Sequence, residues 1–199
     1  NTSVYTYSFE KAVTIREKLH VEQNLVIGHV GRFDAQKNHT FLLDIFSECV
    51  NIVPNARLLL VGDGEGRTQI QEKAKSLGLE EKVIFTGVRN DVADLLQAMD
   101  VFVFPSLYEG VPVTMIEAQA SGLPCVISDG VPKDCVITSG LVTSMKLSDR
   151  PCDWAKHIAA QLNRKRENHL EEIQAAGYDI VTAAKELENF YLKKYGEES

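Results

Sequence analysis

Short apolar runs alternate along this chain with stretches whose apolar residues recur every three or four positions. The runs lie at 25–30 (LVIGHV), 57–61 (RLLLV), 82–86 (KVIFT), 101–104 (VFVF) and 124–127 (PCVI), with a weaker one at 141–145 (LVTSM). Runs of this length predict strands. Consecutive rather than alternating apolar positions predict strands covered on both faces. Helical spacing fills the gaps, over 41–50, 67–77, 91–99 and 112–121. Asn38 or Thr40 and Asn90 or Asp91 stand ready as caps, and Gly78 and Gly122 as stops. Another helix is predicted over 9–19. From Pro151 the pattern is helical only, over 154–162, 167–176 and 179–195. The expected fold is α/β: a Rossmann-like parallel sheet with helices on both faces and a C-terminal helical extension, as one domain over 1–199.

Composition changes this picture little. The chain has 199 residues, 44% hydrophobic and 25% charged, the balance of a globular domain. Its net charge of −7, without a basic run, disfavours nucleic acid and anionic membranes as partners. No stretch is long enough to insert directly into a bilayer. Cys49, Cys125, Cys135 and Cys152 lack metal-ligand spacing and read as reduced thiols, which points to a cytoplasmic location. The chain begins at Asn1 rather than methionine, so a piece of a longer protein is expected.

The chemistry concentrates after the first and fourth strands. In a doubly wound sheet the order reverses between them, and ligands bind at the carboxyl ends there. The first loop, 31–38 (GRFDAQKN), supplies Arg32 as a planar fork and Lys37 as a point charge. The fourth-strand loop, 105–111 (PSLYEGV), runs through Gly110 into Pro112 and a helix start, where open N–H groups suit a phosphate. Glu109 and Glu117 lie eight positions apart across that start. A carboxylate repels phosphate but accepts hydrogen bonds from sugar hydroxyls. Two of them bracketing a diphosphate suit a nucleotide sugar, with Glu117 toward the ribose and Glu109 toward the second sugar.

On GRFDAQKN, LLLVGDGEG and VIFTGVRNDVADLLQAMDVFVFPSLYEGVPVTMIEAQASGLPCVISD, the chain resembles the donor-binding domain of the GT-B glycosyltransferases of family 4, and on VPKDCVIT and LSDRPCDWAKHI it resembles their bacterial capsule and exopolysaccharide branch. That resemblance implies a retaining, metal-independent hexosyltransferase in polysaccharide biosynthesis. It implies no cofactor; a UDP- or GDP-hexose would be the donor substrate. Arg32 and Lys37 would bind the diphosphate and, with Glu109, serve catalysis. Glu117 would hold the ribose. Gly31, Gly110 and Val111 would line the sugar and phosphate, and Gly87, Val88 and Arg89 the base. The sugar or lipid-linked acceptor would be held by an N-terminal domain absent from these 199 residues, so the fragment alone is expected to be inactive. The full-length enzyme would be cytoplasmic, with room for a peripheral position at the inner membrane face. A nucleotide-sugar epimerase half and a non-catalytic sugar-nucleotide-binding module stand as alternatives.

Other residues read as structural. Gly62-Asp63-Gly64 is a turn that permits close approach. His29 is a satisfied core histidine, Trp154 anchors the helical tail, and 164–172 is an exposed, charged helix face.

Overall fold

In a computed structural model, which describes residues 1–161 and 164–196, the alternation becomes a six-stranded, all-parallel sheet. The strands are β1 (Leu25–Val30), β2 (Ala56–Val61), β3 (Val83–Phe85), β4 (Val101–Phe104), β5 (Cys125–Ser128) and β6 (Val142–Met145), in the order β3-β2-β1-β4-β5-β6. The switch between β1 and β4 falls where the sequence places it. Helices α1 (Phe9–Leu19), α4 (Val92–Ala98) and α5 (Val113–Ala120) cover one face, with Ile15, Leu95, Leu96 and Met115 on the sheet. Helices α2 (His39–Ile52), α3 (Arg67–Ser76) and α6 (Pro151–Ala159) cover the other, through Leu42, Phe46, Ile70 and Trp154. All four residues of β4 and of β5 are buried, which is why these runs are apolar throughout. Each fully buried aliphatic side chain contributes on the order of 1.5–3 kcal/mol.

The tail departs from expectation. Its first helix starts at Pro151, which takes the first helical turn, where a missing N–H is harmless; Leu162, in the helix expected over 154–162, lies outside the described residues. The second, α7, spans only Leu170–Ala175, so the charge run is only partly helical. Arg166 in that run turns inward. Its guanidinium donates to the carbonyls of Leu96 (2.9 Å), Met99 and Ser121 (3.4 Å) and lies over the Tyr7 ring. Trp154 anchors the tail as expected: it is fully buried, its indole N–H donates to Lys146 O (3.2 Å), and it meets Phe41 edge-on. The last helix, α8 (Ile180–Gly196), leaves Leu187, Phe190 and Leu192 exposed. No helix among the described residues is long and apolar enough to cross a membrane.

Two glycines let the loops at the carboxyl edge come together. Gly62, at φ +134°, donates its N–H to Gly87 O (2.9 Å), and a Cβ there would sit 2.1 Å from Gly31 O. Gly31 in turn donates to Val61 O (2.9 Å), so the loops after β1, β2 and β3 are knitted through backbone. A Cβ on Gly130 would sit 2.3 Å from Leu107 O; its absence lets the β5 loop lie against the β4 loop.

Candidate functional site

The loops after β1 and β4 face each other and are bonded directly. Leu107 N donates to Gln36 O (2.8 Å), the Asn38 amide to Pro105 O (3.1 Å), and the Gln36 amide to Tyr108 O (3.0 Å). Asn38 holds the N-cap position of α2 in a left-handed conformation (φ 55°), yet its side chain does not cap the helix. It is spent on the neighbouring loop instead.

At the centre of this contact Lys37 Nζ lies 2.6 Å from Glu109 Oε1, and Gln36 Nε2 donates to Glu109 Oε2 at 3.2 Å. The Glu109 side chain is only 5% exposed and that of Lys37 16%, so this pair is held away from bulk water. Glu109 N also donates to Gly130 O (3.1 Å), which fixes the carboxylate's backbone from the β5 side. The Lys37 ammonium sits 4.8 Å over the Phe104 ring. Just beyond, Gly110 and Val111 are exposed, and α5 begins at Val113 behind Pro112, an N-cap residue that offers no side-chain cap. Its leading N–H groups are therefore open to an anion beside a lysine.

Glu117 lies in the second turn of α5 and is half-buried. Its Oε1 accepts a hydrogen bond from the Tyr5 hydroxyl. Burial pushes the Glu117 carboxyl above the ordinary range, and the Tyr5 bond pulls it partly back. The same contact, with burial as the larger cause, pushes the Tyr5 phenol well up.

The remaining expected residues spread around this centre. Gly31 and Gly87 belong to the backbone knit described above. Val88 is 77% exposed at the rim, beside Arg89, whose guanidinium is forked onto Asp91 at 2.7 and 2.6 Å. Arg32 is exposed and lines a cleft of about 620 Å³ between its own loop and the start of α3, with Asp34, Glu65 and Gln69. The structure thus brings Lys37 and Glu109 into contact, while Arg32 lies against a neighbouring cleft.

Below the loop lie two buried histidines. His29 Nδ1–H donates to Val103 O (2.9 Å), which leaves Nε2 as a bare acceptor without a partner among the described residues. His39, whose ring nitrogens find no partner among the described residues, packs edge-on to His29 (4.7 Å between centroids) and flat on Phe33 (4.2 Å). His29 is therefore half satisfied rather than satisfied. Burial, then the proximity of His39, pushes it well below its ordinary value. Burial, then the Lys37 charge, pushes His39 down to about 4.

Sequence reasoning assigned no role to three residues that hold the site. Gln36 is one. Gln119 is another: buried within α5, it donates to Cys135 O (2.8 Å) and accepts from the N–H groups of Ile137 (2.9 Å) and Thr138 (3.1 Å). A glutamine on the apolar side of a short helix was its available signal. Tyr5 is the third, and no local pattern marks it.

The family model for glycosyl transferases group 1 matches residues 24–164. This chain belongs to that family. The group 1 chain is 42% identical over 170 residues to the putative glycosyltransferase EpsF of Bacillus subtilis, covering 84% of this chain and 44% of that protein. It superposes on the crystal structure of Anabaena HepE in complex with UDP-glucose with a TM-score of 0.78 at 25% identity, over 97% of this chain and 55% of that one. The C-terminal domain of a group 1 family protein (LpcC) from Francisella tularensis matches the fold with a TM-score of 0.73 at 17% identity, over 90% of this chain and 98% of that one. The group 1 chain therefore spans about half the length of the full-length relatives it matches.

Proposed function

We propose that this chain is the nucleotide-sugar-binding unit of a retaining hexosyltransferase in polysaccharide assembly. The observation that carries the reading is the Lys37–Glu109 pair, held between the β1 and β4 loops next to the uncapped start of α5. The diphosphate sits against that helix start, with Lys37 shared between it and Glu109. Arg32 swings from its exposed position to close over the phosphates. These groups stabilise the charge that develops on the departing diphosphate, as preorganised donors do. Glu109 and the N–H groups of Gly110 and Val111 face the transferred sugar, and Glu117 takes the ribose hydroxyls. Gly87, the exposed Val88 and Arg89 offer backbone and a small apolar patch to the base. UDP-glucose bound to HepE, on a fold this chain matches, supports the ligand class. The second wall of the cleft, with the sugar or lipid-linked acceptor, belongs to the longer enzyme, which we place in the cytoplasm or at the inner membrane face. The isolated chain is expected to bind donor without transferring it.

Calorimetric titration with UDP-, GDP- and ADP-sugars tests this directly; absence of binding by all three counts against it. Two results are expected beside it. Glu117→Ala weakens nucleoside diphosphate binding by about 1–3 kcal/mol, the cost of leaving a buried hydroxyl without its hydrogen bond, and leaves inorganic pyrophosphate binding nearly unchanged. Equal loss for both ligands rules out a ribose role. Binding also survives EDTA and weakens with added salt, because the charges sit in a partly open cleft; a requirement for Mg²⁺ or Mn²⁺ contradicts the assignment.

A further inference from the structure

The segment before α1 crosses the side of α5 and is tied down along its length. Thr2 donates from its N–H (3.1 Å) and hydroxyl (2.9 Å) to Asp179 Oδ1. Gln97, buried on α4, donates to Tyr5 O (3.2 Å) and accepts from Ser8 N (3.0 Å). Between these ties a short 3-10 turn, Thr2–Tyr5, carries the Tyr5 ring to Glu117. The phenol is therefore delivered by a fixed strap. The carboxylate it meets stands on a long, rotatable side chain, half-buried, and accepts that phenol's hydrogen bond. Asn1, whose α-amino group also favours the charged carboxylate, Thr2 and Tyr178 line the same small cleft of about 170 Å³ beside Glu117.

We propose that Tyr5 is a positioning residue for Glu117: its hydroxyl fixes Oε1, so that Oε2 is presented to the ribose hydroxyls of the donor. The inference rests on the ribose role given to Glu117 above. A carboxylate held by a preordered donor loses less rotational freedom when the ligand arrives, which favours binding. The hydrogen bond also favours the charged carboxylate, the form that accepts from a diol. A purely structural tyrosine would stabilise the strap without changing the affinity for a ribose-bearing ligand relative to pyrophosphate.

The test compares Tyr5→Phe with the unaltered chain, titrating UDP and inorganic pyrophosphate by calorimetry across the acid range. Thermal melts check that the variant is folded. The expected result is a three- to tenfold weaker affinity for UDP, on the order of one hydrogen bond, with pyrophosphate unchanged. The pH below which UDP binding fails moves upward, because Glu117 loses the bond that lowers its protonation. Equal weakening for both ligands with an unmoved acid limb marks Tyr5 as structural only and overturns the inference. Tighter UDP binding overturns it too, since the phenol would then occupy the place of the ribose. If the unaltered chain binds no nucleoside diphosphate, the functional reading fails; if it binds and Tyr5→Phe changes nothing, only this inference fails.

Discussion

Replacing Lys37 with methionine is expected to damage stability and binding together. Glu109 would keep its place, 5% exposed, with only the Gln36 amide at 3.2 Å to answer its charge. Breaking a buried ion pair from one side destabilises by about 3–5 kcal/mol. The Lys37 side chain keeps 16% of its surface in solvent, so a loss of roughly 2–3 kcal/mol in denaturant melts is the expected result. Affinity for UDP should fall roughly ten- to hundredfold, since the ammonium offers a charge-assisted bond to the diphosphate. The double variant Lys37→Met/Glu109→Gln separates the two effects. It removes the orphaned charge and should regain most of the stability, while binding stays weak. Binding that survives Lys37→Met would place the diphosphate elsewhere.

The second large effect is in acid. His39 titrates at its ordinary 6.5 when unfolded and at about 4 when folded. Below 6.5 the unfolded chain therefore binds more protons than the folded one, and stability falls as pH falls. The loss continues down to the folded value of about 4 and reaches roughly 3 kcal/mol for this residue alone, at 1.36 kcal/mol per pH unit. His29, pushed down in the same direction, steepens the decline. Asp34 faces the pair with a charge that opposes the shift in His29, and Lys37 with one that reinforces both. Urea melts between about pH 7.5 and pH 4.5 measure the slope. His39→Phe keeps the flat packing on Phe33 and has no proton to gain, so its slope should be visibly shallower. An unchanged slope would assign the acid sensitivity to other groups.

Both predictions concern residues that the sequence displays but does not connect. Lys37 and Glu109 stand out as a cation after one strand and an acid after another, and the switch-point rule brings their loops together. Their direct pairing, across 72 positions, was not legible, and neither was the placing of Arg32 against a separate cleft. His29 reads as a core histidine from its apolar neighbours. That its Nε2 finds no partner among the described residues, and that His39 lies against it, depends on how α2 seats on β1.

What the sequence by itself determined is the succession of elements and the burial of the strands on both faces. A change of hydrophobic period is a local signal, and continuous apolar runs can be stable only under two layers of helix. It also determined the family and the Glu109–Glu117 spacing, because both are carried by contiguous motifs. The tertiary structure decided the neighbours. It decided that Tyr5 reaches Glu117 across 112 positions, that Gln119 braces residues 135–138, and that Arg166 turns inward from a charged run. Such contacts leave no periodic trace in the chain. They follow from how loops of differing length fold back over a twisted sheet, and from the need of each buried polar group to find a partner there.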